Sequence, residues 1–296
     1  MTTFLSLLIN GIAQGAIYAL VALGFVIIFK ASEILNFAHG ALLLFGAYIV
    51  ARTHESLGFL GACLLGIAAT ALLAVVLDRG LFSFVRGSTV ASVTIMTLGL
   101  DLLIYTDIAR RIGSDLHVLG HPWGNGVVSV GELTISENRL ITIAVAAVVI
   151  GLFFVAFRFS NWGVALRATA EDAEAASLMG IRRLRVSASA WALAGALATI
   201  AGIFLAGSPA PGLSPSIHTV ALAAFPAAIL GGLDSTGGAL LGGLIIGIAQ
   251  SMVAGYSDLF SFLGGGAGTM VPYVIMFLIL LVRPSGLFGT RELTRV

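Results

Sequence analysis

The chain has 296 residues, 58% of them hydrophobic and 10% charged, with a mean hydropathy of +1.07 and a formal net charge of +1. A soluble domain is nearer half apolar with about a quarter of its residues charged, so the composition excludes an ordinary water-soluble enzyme and indicates an all-α, polytopic membrane bundle. Its single cysteine, Cys63, excludes an intramolecular disulfide and a thiolate metal cluster, and the near-neutral charge excludes nucleic acid as a partner.

In chain order, Phe4–Phe29 carries no charge over 26 residues, more than the ~20 a helix needs to cross the hydrocarbon. A span over 5–29 is expected. No basic side chain precedes it and no small-residue cleavage site follows, which separates it from a cleaved signal peptide. Gly11, Gly15 and Ala19 recur every four residues, the spacing of a face for close helix approach. Asn10 and Gln14, i and i+4 on the same span, are candidates to hydrogen-bond a passing solute; polar glue between helices is the other reading.

The pattern then breaks. Lys30, Glu33, Asn36 and His39 crowd the approach to Gly40-Ala-Leu-Leu, and only a short apolar stretch, about 40–51, follows. Asn36 and His39 are candidates for the path because polar groups at a broken helix mark transporter pathways. Spans over 57–77 and 88–106 flank a loop holding Arg79 and Arg86. Asp101 is expected near the outer end of the second of these, exposed. Segment 112–138, polar, with Pro122 and five glycines, reads as an external loop with a short hairpin. His117 and His121 within it are four apart, but Gly120 and Pro122 argue against a helix presenting both to a metal.

After a span at 140–157 the charge gathers. Six charged residues fall between Arg167 and Arg183. Read as one helix over 164–180, Arg167, Glu171 and Glu174 share one side, with Ala165, Thr169, Ala173, Ala176 and Gly180 opposite. Spans at 186–206, 217–233, 238–256 and 268–282 complete the chain, eight or nine in all, within a single transmembrane domain over 1–296. Gly231, Gly232, Gly238 and Gly242 cluster at a second break, where Gly-Ala-Leu-Leu recurs at 238–241, a weak sign of an internal repeat.

Basic residues collect on the cytoplasmic side. Five arginines lie within 158–185 and three within 283–295. Four spans between these stretches put both inside, which places the C-terminus in the cytoplasm and the N-terminus outside. Asp107, Arg110 and Arg111 fit poorly at an outer end.

Chemistry for self-powered work is scarce. Lys30 is the only lysine and follows Phe29, so no phosphate-binding Gly-Lys-[Ser/Thr] loop exists. No catalytic set and no metal site is legible, and ion coupling has only Asp101, His39 and Glu33 to draw on, with His39 read first as a hydrogen-bonded structural histidine. The energy is expected from a partner.

Glu174-Ala175-Ala176-Ser177-Leu178-Met179-Gly180 resembles the EAA-x-x-x-G core by which permeases of ATP-binding-cassette (ABC) transporters contact their ATPases. Gly163–Asp172, Tyr18–Gly24, Asn36–Gly40, Gly231-Gly232 with Gly237-Gly238, and Arg283–Gly289 resemble, in the same order, the LivH-type permease family for branched-chain amino acids. The wider pattern continues with an Ile-x-Leu-Pro that is missing after Gly180. The resemblance implies an importer with two ATPase subunits that carry ATP and Mg, a related LivM-type permease or a second copy of this chain, and an external solute-binding protein. It implies no cofactor on this chain, and a place in the bacterial inner membrane. Arg167, Glu171, Asp172, Glu174, Ala175, Ala176 and Gly180 would then be the ATPase-coupling residues. Urea and short amides are the nearest competing cargo, ahead of aromatic acids; a self-contained ion-coupled carrier is the rival from another class, with an intramembrane enzyme behind it.

Overall fold

The computed structural model describes residues 2–84, 89–113, 117–123, 126–130, 133–207, 212–258 and 266–289. Arg86, Arg291 and Arg295, part of the orientation argument, lie outside the described residues, as do parts of segment 112–138. The elements run α1 (Thr2–Ser32), α2 (His39–Phe84), α3 (Val90–Ile112), β1 (Val127–Val130), β2 (Leu133–Ser136), α4 (Glu137–Phe159), α5 (Asn161–Glu171), α6 (Ala173–Leu178), α7 (Arg183–Leu205), α8 (Ile217–Gly231), α9 (Thr236–Gly255) and α10 (Ala267–Val282). Six of the helices are long and apolar enough to cross a membrane, whereas α8 and α10 have only 15 and 16 residues.

The 46 residues of α2 do not run straight. Gly58 takes φ 69°, ψ 166°, and a Cβ on Gly66 would sit 3.1 Å from the Gly46 carbonyl oxygen. In a continuous helix those residues would be ~30 Å apart at 1.5 Å per residue. The chain therefore doubles back at Gly58 into antiparallel arms, 39–57 and 59–84, which are the expected spans 40–51 and 57–77. With the arms counted separately, the apolar helices number nine among the described residues.

The centre of the bundle is α1 and α7. From Gly15 to Ile28 every residue of α1 is buried, as expected of a helix apolar all round. On the periphery, Leu60, Leu64 and Leu72 of α2, Ile95 and Leu103 of α3, Leu152 of α4 and Phe277 and Leu281 of α10 are exposed, a surface for lipid.

Glycine sets a close contact between α1 and α9. A methyl on Gly11 would lie 2.6 Å from Ile248 Cα, and one on Gly15 2.8 Å from Leu244 Cα. From the opposite helix, Gly243 and Gly247 press on the backbone of Ala19 and Gly15. Close backbone approach through small residues holds helices together where lipid removes the hydrophobic drive. Because the colliding atoms are backbone, a side chain at Gly15 must part the helices. Gly15→Val is expected to cost about 3 kcal/mol, the upper part of the overpacking range, read as a lowered thermal midpoint of the purified chain.

Two ends can be distinguished. At the charged end, Gly231 packs on Gly238, Gly242 on the Ala227 carbonyl, and Gly232 turns at φ 100°. The segment 283–289 clasps this α8–α9 turn: Leu287 N donates to Leu230 O (2.8 Å) and Phe288 N to Gly231 O (3.1 Å). Lys30 Nζ, from the last turn of α1, donates to Asp234 O at 2.6 Å. At the opposite, hairpin end, β1 pairs antiparallel with β2. There Trp123 donates to Asn138 Oδ1 (3.0 Å), Asn138 Nδ2 donates to Gly207 O (2.9 Å), and His117 O accepts from Leu213 N (2.8 Å). Burial against Phe59 and Trp123 pushes the His121 imidazole below its ordinary value. Both Gly-Ala-Leu-Leu strings open a helix after a non-helical turn, at Gly40 in α2 and Gly238 in α9.

Candidate translocation path and docking loop

The charged island is two helices, not the single helix expected over 164–180. Asp172 leaves helical geometry at φ −153°, ψ 102°, and its Oδ1 accepts from the amides of Glu174 and Ala175, both at 2.9 Å. It is an N-cap, the role for which a short carboxylate is suited, so α5 stops and α6 restarts at an angle. Gly180, at φ 86°, ends α6, a place where glycine is favoured.

The small-residue side turns inward. Gly163, Leu166, Thr169 and Ala176 are buried, with Gly163 against the backbone of Phe157. Arg167 also turns back: Nη1 donates to Phe157 O, and the guanidinium lies 5.1 Å from the centre of the Phe157 ring. Glu171, Asp172, Glu174, Ala175 and Gly180 remain exposed. What sequence reading missed is the tip. Leu178 and Met179 are 83% and 84% exposed, more than any other large apolar residue described. Along the sequence they stand between Glu171 and Glu174 before them and Arg182, Arg183 and Arg185 after them, all exposed. Apolar patches rimmed by polar residues occur at protein and membrane contact sites.

Asn10 and Gln14 line a cavity of about 480 Å³ on the hairpin-end half of the bundle, with Arg139 and Thr142 of α4 and Gln250 and Ser251 of α9. Arg139 Nη1 donates to Asn10 Oδ1. Gln250 also lines two further cavities, of about 370 and 360 Å³, that lead along α9 to α10 and α8. Gln250 Oε1 accepts from Tyr18 Oη at 2.5 Å. Asn10, Gln14, Tyr18, Arg139 and Gln250 thus form one polar surface shared by α1, α4 and α9. Arg139 went unnoticed in the sequence because it stands where the expected loop meets the expected span.

Asn36 and His39 are not on that surface; both are wholly buried at the break between α1 and α2. Asn36 Oδ1 accepts from Ala38 N (3.1 Å), an Asx turn that starts α2. The His39 ring packs on Phe25 (4.8 Å between centres) and lies against Gly24, so α2 begins at the depth of Gly24, not beyond the end of α1.

A third polar cluster lies beside this break. Asp101 stands 11 residues from either end of α3, at mid-helix and not near the outer end as expected. Its carboxylate meets His218 Nε2 at 2.8 and 3.0 Å and accepts from Ala41 N at 3.1 Å; the two side chains are only 14% and 10% exposed. His218 also packs on Gly40 and on the Tyr105 ring (4.5 Å). The second residue of α8 and the third of α2 therefore meet one carboxylate halfway along α3. Thr97, one turn away, accepts from Phe37 N (3.1 Å); its hydroxyl donates to Thr94 O (2.7 Å) and lies 3.2 Å from Leu35 O. Among the described residues, no His/Cys/Asp/Glu group could hold a metal ion.

Residues 7–282 match the family model described as the permease component of branched-chain amino acid transport systems. The chain is 31% identical to the high-affinity branched-chain amino acid transport system permease protein LivH of Salmonella typhimurium, over 99% of this chain and 98% of that one. It is 32% identical to LivH of Escherichia coli K12, over the same shares. To BraD of Pseudomonas aeruginosa, also a high-affinity branched-chain amino acid transport system permease protein, identity is 29%, again over 99% and 98%. Among solved structures, PsaBC from Streptococcus pneumoniae in complex with Fab is similar at a TM-score of 0.48 and 16% identity, covering 93% of this chain and 91% of that one. With the family model covering most of its length and near-full-length relatives at this identity, the chain belongs to the branched-chain amino acid transport permease family, a family of multi-pass membrane proteins and not of enzymes.

Proposed function

We propose that this chain is the membrane permease subunit of an ATP-driven ABC importer for branched-chain amino acids, seated in the bacterial inner membrane. It forms a translocation path lined by Asn10, Gln14 and Gln250, and it receives mechanical work through α5–α6. Two ATPase subunits bind and hydrolyse ATP with Mg, a LivM-type permease or a second copy of this chain completes the path, and an external binding protein delivers the solute. The charged end faces the cytoplasm, which puts the N-terminus outside and the C-terminus inside.

The observation that carries this reading is the exposed Leu178–Met179 tip at one end of a chain whose polar cavity opens in the other half. The family description and the names of the relatives support the cargo. Movement of the tip reaches the spans directly, because α5 follows α4 without a linker beyond Ser160, and Arg167 is bonded to the last turn of α4. Pushing on α6 therefore tilts α4, the helix that carries Arg139 and Thr142 into the cavity.

The test is uptake by the complete complex in proteoliposomes. ATP-dependent accumulation of labelled leucine, with no accumulation of labelled urea, is expected. Urea uptake without leucine uptake would replace the cargo assignment. Gradient-driven uptake by this chain alone, without ATP, would overturn the whole reading.

A further inference from the structure

We propose that Arg139 is the point in the path that recognises the solute's carboxylate, so that the permease itself, and not only its binding protein, selects an α-amino acid over a neutral amide. This rests on the importer reading above and names a contact within its path.

Arg139 occupies the first turn of α4 and extends into the 480 Å³ cavity, whose size falls within the ~300–1,000 Å³ typical of small-molecule clefts. A guanidinium presents a planar fork of N–H donors that fits a carboxylate with two parallel hydrogen bonds. Among the described residues its side chain makes one hydrogen bond, to the neutral amide oxygen of Asn10, and no ion pair with a carboxylate. The asparagine therefore aims the guanidinium without neutralising it, and the remaining donors are left for a ligand.

The surrounding lining supplies what the rest of an amino acid needs. Gln14, one turn along α1 from Asn10, and Gln250 of α9 line the same cavity as Arg139 and carry amide oxygens, which suit an ammonium group; that of Gln250 also accepts from Tyr18. Ala13 and Ile17, on the next face of α1, give the apolar side chain a wall. Urea and short amides have no anionic group and would leave the guanidinium unanswered, which makes Arg139 a discriminating element between these cargoes. Arg139 stands at the end of a span and faces a cavity, which leaves its charge accessible to a solute entering from that end.

Two variants separate this role from a structural one. Arg139→Gln removes the cation. Asn10→Asp keeps Arg139 in place and strengthens the α1–α4 bond, but occupies the guanidinium with a fixed carboxylate. In proteoliposomes containing the complete complex and an excess of the binding protein, leucine uptake (kcat/KM) is expected to fall more than tenfold in both variants. Arg139→Lys, which keeps charge but not the fork, should fall between them and the unmodified complex. An arginine that only fastens α4 to α1 or to lipid headgroups predicts unimpaired uptake in Asn10→Asp, and that result overturns the proposal even if Arg139→Gln assembles poorly. An unmodified complex that imports leucine at the same rate as all three variants overturns the carboxylate site alone. An unmodified complex that imports urea and not leucine overturns the function on which the site depends.

Discussion

Replacing Leu178 and Met179 together with arginine is expected to strip the ATPase subunits from the complex while the permease stays in the membrane. Both side chains are more than four-fifths exposed, so nothing within this chain is lost when they change, and folding should be untouched. On the docking surface proposed above they are the apolar anchors, the kind of residue whose truncation alone costs about 2 kcal/mol or more at an interface. Two such losses, with two added charges in a desolvated contact, amount to roughly a 1,000-fold weaker association by the usual tenfold per ~1.4 kcal/mol. The measurement is the ratio of ATPase to permease chains after affinity purification in detergent, paired with ATP-dependent uptake. Retained stoichiometry and uptake would show that α6 is a solvated loop. Asp172→Ala is the graded companion. It leaves the tip chemically intact but removes the cap of α6, and the loss of about 1 kcal/mol expected for an N-cap should lower uptake severalfold without abolishing assembly.

The break at Asp172 shows what sequence reading can and cannot reach here. Counting every 100° through 164–180 gave one continuous helix because alanine, glutamate and methionine sustain it well. Yet Asp172 followed by acidic Glu174 is also a helix-start signal, and the fit of Gly163 against the α4 backbone, with Leu166 buried, decides between the two by holding α5 in place. The small-residue face was legible. Its direction, toward the bundle and not toward a partner, was not, because periodicity marks a face without saying what covers it. The nine apolar helices and arms were readable because lipid demands runs of a fixed length. Gly58 stands inside one such run, 57–77, where no local signal marks it as the turn.

Asp101 was misplaced for a related reason. The charges at Asp107, Arg110 and Arg111 mimic the end of a span, which drew the boundary to 106. In the structure they pair along the helix, Arg110 to Asp107 at 2.9 Å and Arg111 to the same carboxylate at 2.7 Å, and α3 continues to Ile112. That extension moves Asp101 to the middle. Its partner His218 lies 117 residues away, a distance over which no local pattern reports contact. Arg139 and Gln250 share this limit: each is polar on an apolar helix, and only the packing of α1 between α4 and α9 places them on the same cavity.

The second large effect follows from that buried carboxylate. Asp101→Leu is expected to destabilise the chain severely, because Asp101 holds the starts of two helices at once. Ala41 is the third residue of α2, so its amide has no partner within the helix, and Asp101 Oδ1 supplies one. A carboxylate there also opposes the positive end of the α2 dipole. His218 Nε2 takes the same group from the α8 side. Leucine leaves both donors buried and unanswered, at about 1–3 kcal/mol each. Their sum is comparable with the 3–5 kcal/mol known for breaking a buried pair from one side. A double variant sharpens the expectation. Adding His218→Leu to Asp101→Leu removes one stranded donor and should recover about 1–2 kcal/mol, so the double variant is more stable than the single. It cannot recover everything, because Ala41 N–H stays orphaned. Asp101→Asn, which keeps an acceptor oxygen for Ala41, should be the mildest of the three. The order Asn, then the double variant, then Leu, read from thermal midpoints of the purified permease in lipid nanodiscs, is the expected result. A single Asp101→Leu variant as stable as the original chain would mean that α2 and α8 are held in place by their apolar packing alone.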